Sequence, residues 1–441
     1  MKQPDPYRKV RNHMVFKFQL LRSIAVVVAA VLFLGLGTMA CTTEKHTTAT
    51  SSSSNASSGG LPPRSAAPTS PAVPKTIRVP KGSRLGPGTT YSGCGGAYTA
   101  GDDLKFDKTG EILNPKTGQY IPVPLPTISA GQKLVGYGCT VGGDQDHIRV
   151  FYVMTVSIPS NGLTPERRSS SIVAFDPFAS APPQLAPWPS EVSVQQLAPS
   201  NYGFYAKTSN GLIGFDGTTL QSTFTCTDNN RAGNCWHNFA GFGKFREDGS
   251  GGEVFFSARD GGQVGENVGG TMSGGVPMST DGMVVTVGNT FPYRYGYFDF
   301  RDAKMKEIAS EFNLALWDND LMEWGTDYIR VLDLTNNRVL FERTGDDVKN
   351  LHIKQVHFAG KYLYIDNDSD RPVIDITTSQ KVSSGWKVMP IQRVSRDWIL
   401  IDPKNPNRDQ SCFSKEGQFC YVGQDSQLVF APSGDYVGPW F

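Results

Sequence analysis

The chain has 441 residues, of which 39% are hydrophobic, 11% aromatic and only 19% charged, with 47 glycines and 29 prolines. That composition supports a sizeable core, excludes a wholly disordered or fibrous chain, and favours many short strands over long helices. Residues 1–40 hold six basic side chains and one acid, so the remainder is net −4 beneath a whole-chain charge of +1; a body of that charge lacks the electrostatic footprint of a nucleic-acid binder or a polybasic membrane-surface protein.

The first element is the apolar run Ser23 to Ala40, 18 residues without a charge, preceded by Lys2, Arg8, Lys9, Arg11, Lys17 and Arg22. A positive flank holds the N-terminus in the cytoplasm, so everything after the run is expected outside. The length lies at the edge of what spans a bilayer and suits a cleaved signal or a retained helix. Thr38-Met39-Ala40-Cys41 closes the run with small residues immediately before a cysteine. This resembles the lipobox of bacterial lipoproteins, in which that cysteine carries the lipid and becomes the new N-terminus. The resemblance implies lipidation of Cys41 and a body anchored on the extracytoplasmic side of the cell membrane. The other reading is an uncleaved membrane helix with an incidental Cys41, and it gives the same address.

Three domains are expected: residues 1–40 as signal peptide or anchor, 41–88 as a Ser/Thr/Pro-rich flexible linker, and 89–441 as the folded body. The linker has too few large apolar groups to offset the entropy of ordering. Six cysteines follow Cys41: Cys94, Cys139, Cys226, Cys235, Cys412 and Cys420. An even count in an exported chain reads as disulfides. Cys226/Cys235 and Cys412/Cys420 enclose short polar loops, so local pairing is simplest, and it leaves Cys94 with Cys139. No Cys/His spacing suggests zinc.

From about residue 90, short strand-like runs alternate with turn signals. The clearest unit is Gln355 to Trp386, four runs separated by Ala359-Gly360, Asp366 to Asp370 and Thr377 to Gln380. One phrase recurs: a hydrophobic strand, an Asp, then a polar turn. It ends at Asp176, Asp216, Asp299, Asp333, Asp375 and Asp402, with steps of 40, 83, 34, 42 and 27, and Val254 to Ser257 is a degenerate copy inside the longest step. A period near 40 with four strands per unit predicts a β-propeller of seven or eight four-stranded antiparallel blades. The single helix candidate, Ala303 to Leu316, also fits a blade's outer strand. Val331-Leu332-Asp333-Leu334-Thr335, with weaker copies at Phe106 to Gly110 and Ala431 to Asp435, resembles the repeats of quinoprotein-like (PQQ-repeat-like) propellers. The resemblance implies a non-catalytic propeller lipoprotein of the cell envelope, and no cofactor-binding constellation accompanies it.

Candidate sites are few. Asp318, Asp320 and Glu323, flanked by Trp317, Trp324 and Asp327, form the densest acid and aromatic cluster, a composition suited to acid/base work on a glycoside. Asp366, Asp368 and Asp370 place carboxylates at alternate positions, as a calcium loop does, but Arg371 and Thr377 stand where that loop needs Gly and a bidentate acid, so a hairpin turn is expected. His352 and His357 are expected on opposite faces of a strand, and Asp144 to His147 to form a turn. The Gly-rich stretch Asp260 to Gly275 reads as a long loop. The leading expectation is a membrane-anchored binding or scaffold module with no cofactor, no nucleic acid, and an envelope protein or glycan as ligand. The alternative is an envelope glycan-active hydrolase using the acidic cluster.

Overall fold

The computed structural model describes residues 76–431 apart from 145, 161, 190–192, 228–234, 246–252, 265–269, 272–281, 288–293, 300–303, 309–312, 318, 405–421 and 424. Cys41, Asp318, Cys412 and Cys420 therefore lie outside the described residues. The described strands assort into eight antiparallel sheets, in most of which neighbours in the sheet are neighbours in the chain.

Blade 1 comprises Arg84–Gly86, Thr89–Tyr91, Glu111–Asn114 and Gln119–Pro122, and blade 2 comprises Lys133–Gly142, Arg149–Ile158, Arg167–Phe175 and Gln184–Pro187. Blade 3 is Val194–Ser200, Gly203–Thr208, Gly211–Asp216 and Ser222–Thr227; blade 4 is Cys235–His237, Gly241–Phe245, Glu253–Ser257 and Gln263–Val264. Blade 5 is Gly270–Thr271, Gly282–Val287, Arg294–Asp299 and Lys304–Ile308; blade 6 is Asn313–Trp317, Asp320–Trp324, Tyr328–Asp333 and Arg338–Thr344. Blade 7 is Gln355–Ala359, Tyr362–Asp366, Val373–Asp375 and Gln380–Ser383; blade 8 is Pro390–Ser395, Trp398–Ile401 and Gln427–Phe430. Its fourth strand is Thr76–Arg78, which pairs with Gln427–Phe430. The chain's first described strand thus completes its last sheet, and the linker expected to run to residue 88 gives way to blade structure at Thr76.

The core lies between sheets, because each sheet has two apolar faces and needs a neighbour on both sides. One cluster joins blades 1 and 2 (Ile112, Val150, Tyr152), a second blades 2 and 3 (Phe151, Phe204, Phe215), a third blades 3 and 4 (Tyr205, Phe242). Phe255 meets Phe298 between blades 4 and 5 with ring centroids 4.6 Å apart. Tyr297 and Leu321 join blades 5 and 6, and a large cluster including Met322, Phe358 and Ile399 spans blades 6 to 8. Leu85, Leu113, Trp398 and Leu428 then bring blade 8 back to blade 1, where Trp398 Nε1 donates to Pro115 O at 2.8 Å. Every sheet is covered on both faces, so the eight close into a ring. The described residues form an eight-bladed β-propeller.

The recurring Asp found in the sequence marks the turn from the third to the fourth strand in blades 2, 3, 5, 6 and 7, whereas Asp402 follows the second strand of blade 8. Asp216 Oδ1 accepts from the amides of Thr218 and Thr219 at 3.0 and 2.6 Å, Asp333 Oδ1 from Thr335 and Asn336 at 2.9 and 3.0 Å, and Asp375 Oδ1 from Thr377 at 2.8 Å. Asp176, Asp260, Asp402 and, in blade 1, Asn114 cap the amide two residues on in the same way. The side chain mimics a backbone turn, which is why this residue type recurs there. Burial works to raise the pKa values of Asp216, Asp333 and Asp375, but hydrogen bonds from the following amides and hydroxyls outweigh it and hold all three below the usual carboxylate value. In blade 7 the turn between the first two strands needs Gly360, whose φ is 59°.

Two expectations need restating. The stretch from Ala303 to Leu316 supplies the outer strand of blade 5 and most of the first strand of blade 6. The Gly-rich stretch from Asp260 to Gly275 is more than a loop, since Gln263–Val264 and Gly270–Thr271 are paired strands. The one helical turn among the described residues, Asp346–Lys349, sits in the connection from blade 6 to blade 7.

Candidate functional site

The acids expected to act together are spread along one blade. Asp320 opens the second strand of blade 6, Glu323 sits three residues further along, and Asp327 lies beyond the strand's far end. An odd separation in a strand sends side chains to opposite faces, so Asp320 and Glu323 do not converge. From Asp320 to Trp324 the strand covers about 13 Å at roughly 3.3 Å per residue.

Glu323 is fully buried and faces Arg330 across the sheet; Arg330 Nη2 donates to its Oε2 at 2.6 Å and Nε to the same oxygen at 3.2 Å. Its other oxygen, Oε1, is buried without a hydrogen-bond partner. This carboxylate is built into the wall between blades rather than presented to a substrate. Asp320 is paired in register with Asp333, the aspartate that organises the outer turn of blade 6.

Asp366 ends the second strand of blade 7, Asp368 and Asp370 lie in the connection to the third, and each of the three meets a different cation. Asp366 pairs with Arg371 at 3.2 Å, Asp370 with Lys381 at 2.9 Å, and Asp368 with Lys354. Asn367 shapes the turn: its Oδ1 accepts from the Ser369 and Arg371 amides at 3.2 and 2.9 Å, and its Nδ2 donates to Leu351 O at 3.1 Å. Three bases thus neutralise the three acids that a cation would need. Among the described residues no group of three or more His, Cys, Asp or Glu could hold a metal.

The histidines are also dispersed. His357 is buried in the first strand of blade 7 with Nδ1 3.3 Å from Pro390 O, whereas His352 lies exposed in the preceding turn, not on that strand. His147 lies against Asp144, whose Oδ1 also accepts the Asp146 and His147 amides at 2.8 and 2.7 Å, forming the expected turn. His237 is half-buried beside Tyr205, and desolvation lowers its pKa to about 4.

Blade 2 departs most from the repeat. Its first three strands run 10, 10 and 9 residues. A fifth strand, Thr99–Ala100, pairs with Tyr137 and Gly136 on its inner edge. That strand comes from the blade 1 loop and is stapled by the Cys94–Cys139 disulfide. The Gly96 amide donates to Cys139 O at 2.9 Å while Gly96 O accepts from Leu197 of blade 3 at 2.6 Å, so the segment ties the inner edges of two blades together. The other described disulfide, Cys226–Cys235, joins blades 3 and 4.

The third strands of blades 2 and 3 end at one level, since Gln184 Nε2 donates to Thr218 O at 2.8 Å where their outer turns meet. Arg167–Phe175 is three residues longer than Gly211–Asp216, so the blade 2 hairpin stands about 10 Å above blade 3. Near its tip Leu163 is 94% exposed, the most exposed large apolar side chain among the described residues, and Arg167 and Arg168 are exposed beside it. Hydroxyls brace the base of the raised part, Tyr98 Oη with Thr155 Oγ1 at 2.6 Å and Thr155 Oγ1 with Ser170 Oγ at 2.8 Å, and within it Ser157 Oγ donates to Glu166 Oε1 at 2.6 Å. No local motif marks this hairpin in the sequence. Its signal was the unbroken length of the runs at 133–142, 149–158 and 167–175.

No protein-family model matches the chain, and no curated protein matches it. Solved structures similar to it include BamB from Moraxella catarrhalis, 12% identical over 81% of this chain and 99% of that one, with a TM-score of 0.31. Hsv2p from Kluyveromyces lactis is 13% identical over 62% of this chain and 90% of that one, with a TM-score of 0.29. The dihydro-heme d1 dehydrogenase NirN, in complex with DHE, is 12% identical over 69% and 65%, with a TM-score of 0.32. Likenesses this slight add nothing to the strand order and inter-blade cores, which define the propeller by themselves.

Proposed function

We propose that this propeller is an exported, membrane-anchored binding or scaffold module of the cell envelope, with lipidated Cys41 as its anchor and with recognition through loops at one end of the ring. The observation that carries the reading is the blade 2 hairpin, which raises Leu163 and two arginines clear of the neighbouring blade. Export is supported by the disulfides Cys94–Cys139 and Cys226–Cys235, since such bonds persist in oxidising compartments. It is supported also by the charged-then-apolar order of residues 1–40.

Membrane fractionation of cells making the full chain or Cys41→Ser tests the anchor. The full chain is expected in the membrane fraction, with Cys41→Ser uncleaved or released. A Cys41→Ser chain of unchanged size and location points to the uncleaved helix, and a full chain absent from the membrane fraction overturns anchoring. The hydrolase reading needs Asp318, Asp320 and Glu323 to share a site. If the full chain turns over cell-wall glycan and Asp320→Asn with Glu323→Gln abolishes that turnover without unfolding, the enzyme displaces the scaffold.

A further inference from the structure

We propose that the blade 2 hairpin docks a protein partner that offers an apolar pocket for Leu163 and carboxylates for Arg167 and Arg168; this deepens the binding reading and rests on it. Three observations converge. The tip exposes 94% of Leu163, whereas the other exposed large apolar side chains, Leu185 at 66%, Val339 at 49% and Val382 at 45%, lie on the outer strands of blades 2, 6 and 7. The base of the raised hairpin is tied by the Tyr98, Thr155 and Ser170 hydroxyls and by Thr99–Ala100, and its raised end by Ser157 Oγ donating to Glu166, which limits the conformational freedom lost on docking. The local charge is net positive, because the two exposed arginines Arg167 and Arg168 outnumber the one exposed acid beside them, Glu166. An apolar knob flanked by guanidiniums fits a pocket with an acidic rim, the arrangement in which a few residues dominate an interface.

A lipid surface fits less well. One leucine with two arginines falls short of the two signals that stable membrane attachment takes. The chain also joins the ring at the opposite end. Thr76 pairs with Val429 and Arg78 with Gln427, so Thr76 lies level with the outer turns and the chain before it attaches there. The hairpin points away from that attachment.

Site-specific photo-crosslinking in the cells that make the protein tests this, with p-benzoylphenylalanine placed in the full chain at Leu163, Leu185, Val339 or Val382. The expected result is one protein adduct at position 163, absent at the other three. It should fall at least tenfold with Arg167→Glu/Arg168→Glu, survive Arg167→Lys/Arg168→Lys, and join a partner peptide bearing Asp or Glu. Circular dichroism confirms folding, and Arg167→Gln/Arg168→Gln replaces the reversal if that variant is destabilised. An adduct indifferent to charge reversal, an adduct between two copies of this chain, or Leu163-dependent flotation of the full chain with phosphatidylglycerol vesicles overturns the proposal. Adducts only at the other positions overturn the hairpin but leave the binding reading standing, and no adduct at any of the four removes both.

Discussion

Blade 7 takes all four strands from Gln355–Ser383, whereas blade 2 draws a fifth, Thr99–Ala100, from the loop of the blade before it. Blade 7 is covered on both faces by apolar neighbours, and Trp386 seals it by donating from Nε1 to Ile365 O at 2.9 Å. Blade 2 rises past blade 3; the raised part of its third strand carries Arg167, Arg168 and Ser169, while Leu134 and Val156 on the strands beside it stay buried. A disulfide lower in the blade and hydroxyl bonds at the base of the raised part add to that burial. A strand extended beyond its neighbour needs another source of rigidity, and the chain supplies it from a loop remote in sequence.

Substitutions can break or sharpen this contrast. The largest loss is expected at Trp386→Ala, about 5 kcal/mol, because a fully buried indole leaves a cavity and Ile365 O loses its donor. Denaturant unfolding measures it, and a loss near 1 kcal/mol would mean that blade 7 seals without its tryptophan.

Next comes the staple of blade 2. Cys94–Cys139 closes a separation of 45 residues and Cys226–Cys235 one of 9. Loop-closure entropy then assigns them about 4 and about 3 kcal/mol. Paired Cys→Ala variants compared by denaturant unfolding test the order, and equal losses would place the hold on the blade 1 loop in its hydrogen bonds.

Gly136→Ala is expected to cost about 2 kcal/mol, because a Cβ there collides with the Tyr98 hydroxyl and ring. Combining it with Tyr98→Ala should recover most of the Gly136 contribution in a double-mutant cycle; strict additivity would show that the two do not meet.

The smallest effect, about 1 kcal/mol, is expected for Asp375→Ala, which loses the turn bonds from Thr377. Hydrogen bonds hold the folded-state pKa values of Asp216, Asp333 and Asp375 below the unfolded value of about 3.8. Their contribution is therefore complete above that value and is lost as pH falls through the lower folded value. Thermal midpoints from pH 7 down to 2 should drop less steeply in Asp216→Asn/Asp333→Asn/Asp375→Asn than in the parent. An unchanged slope would assign acid sensitivity to other carboxylates.

The recurring Asp was legible because it acts within its own turn: Asp216, Asp333 and Asp375 bond residues two or three places on, and spacing alone shows that. Blade 7 was legible strand by strand for the same reason, as each hairpin partner is its neighbour in the chain. What no local pattern displays is contact across the ring. The pairing of Thr76–Arg78 with Gln427–Phe430 and the placement of residues 96–100 against both Cys139 and Leu197 depend on which blades become neighbours. The acidic cluster failed to assemble for a related reason. Asp320 and Glu323 are close in sequence, but strand geometry sends them to opposite faces and burial gives Glu323 to Arg330. The sequence by itself determined the repeat, its turns and its strand-rich class, since short-range hydrogen bonds and alternation govern them. Only the tertiary structure decided ring closure, the strap on blade 2 and the height of its hairpin, because those follow from packing between segments that never meet along the chain.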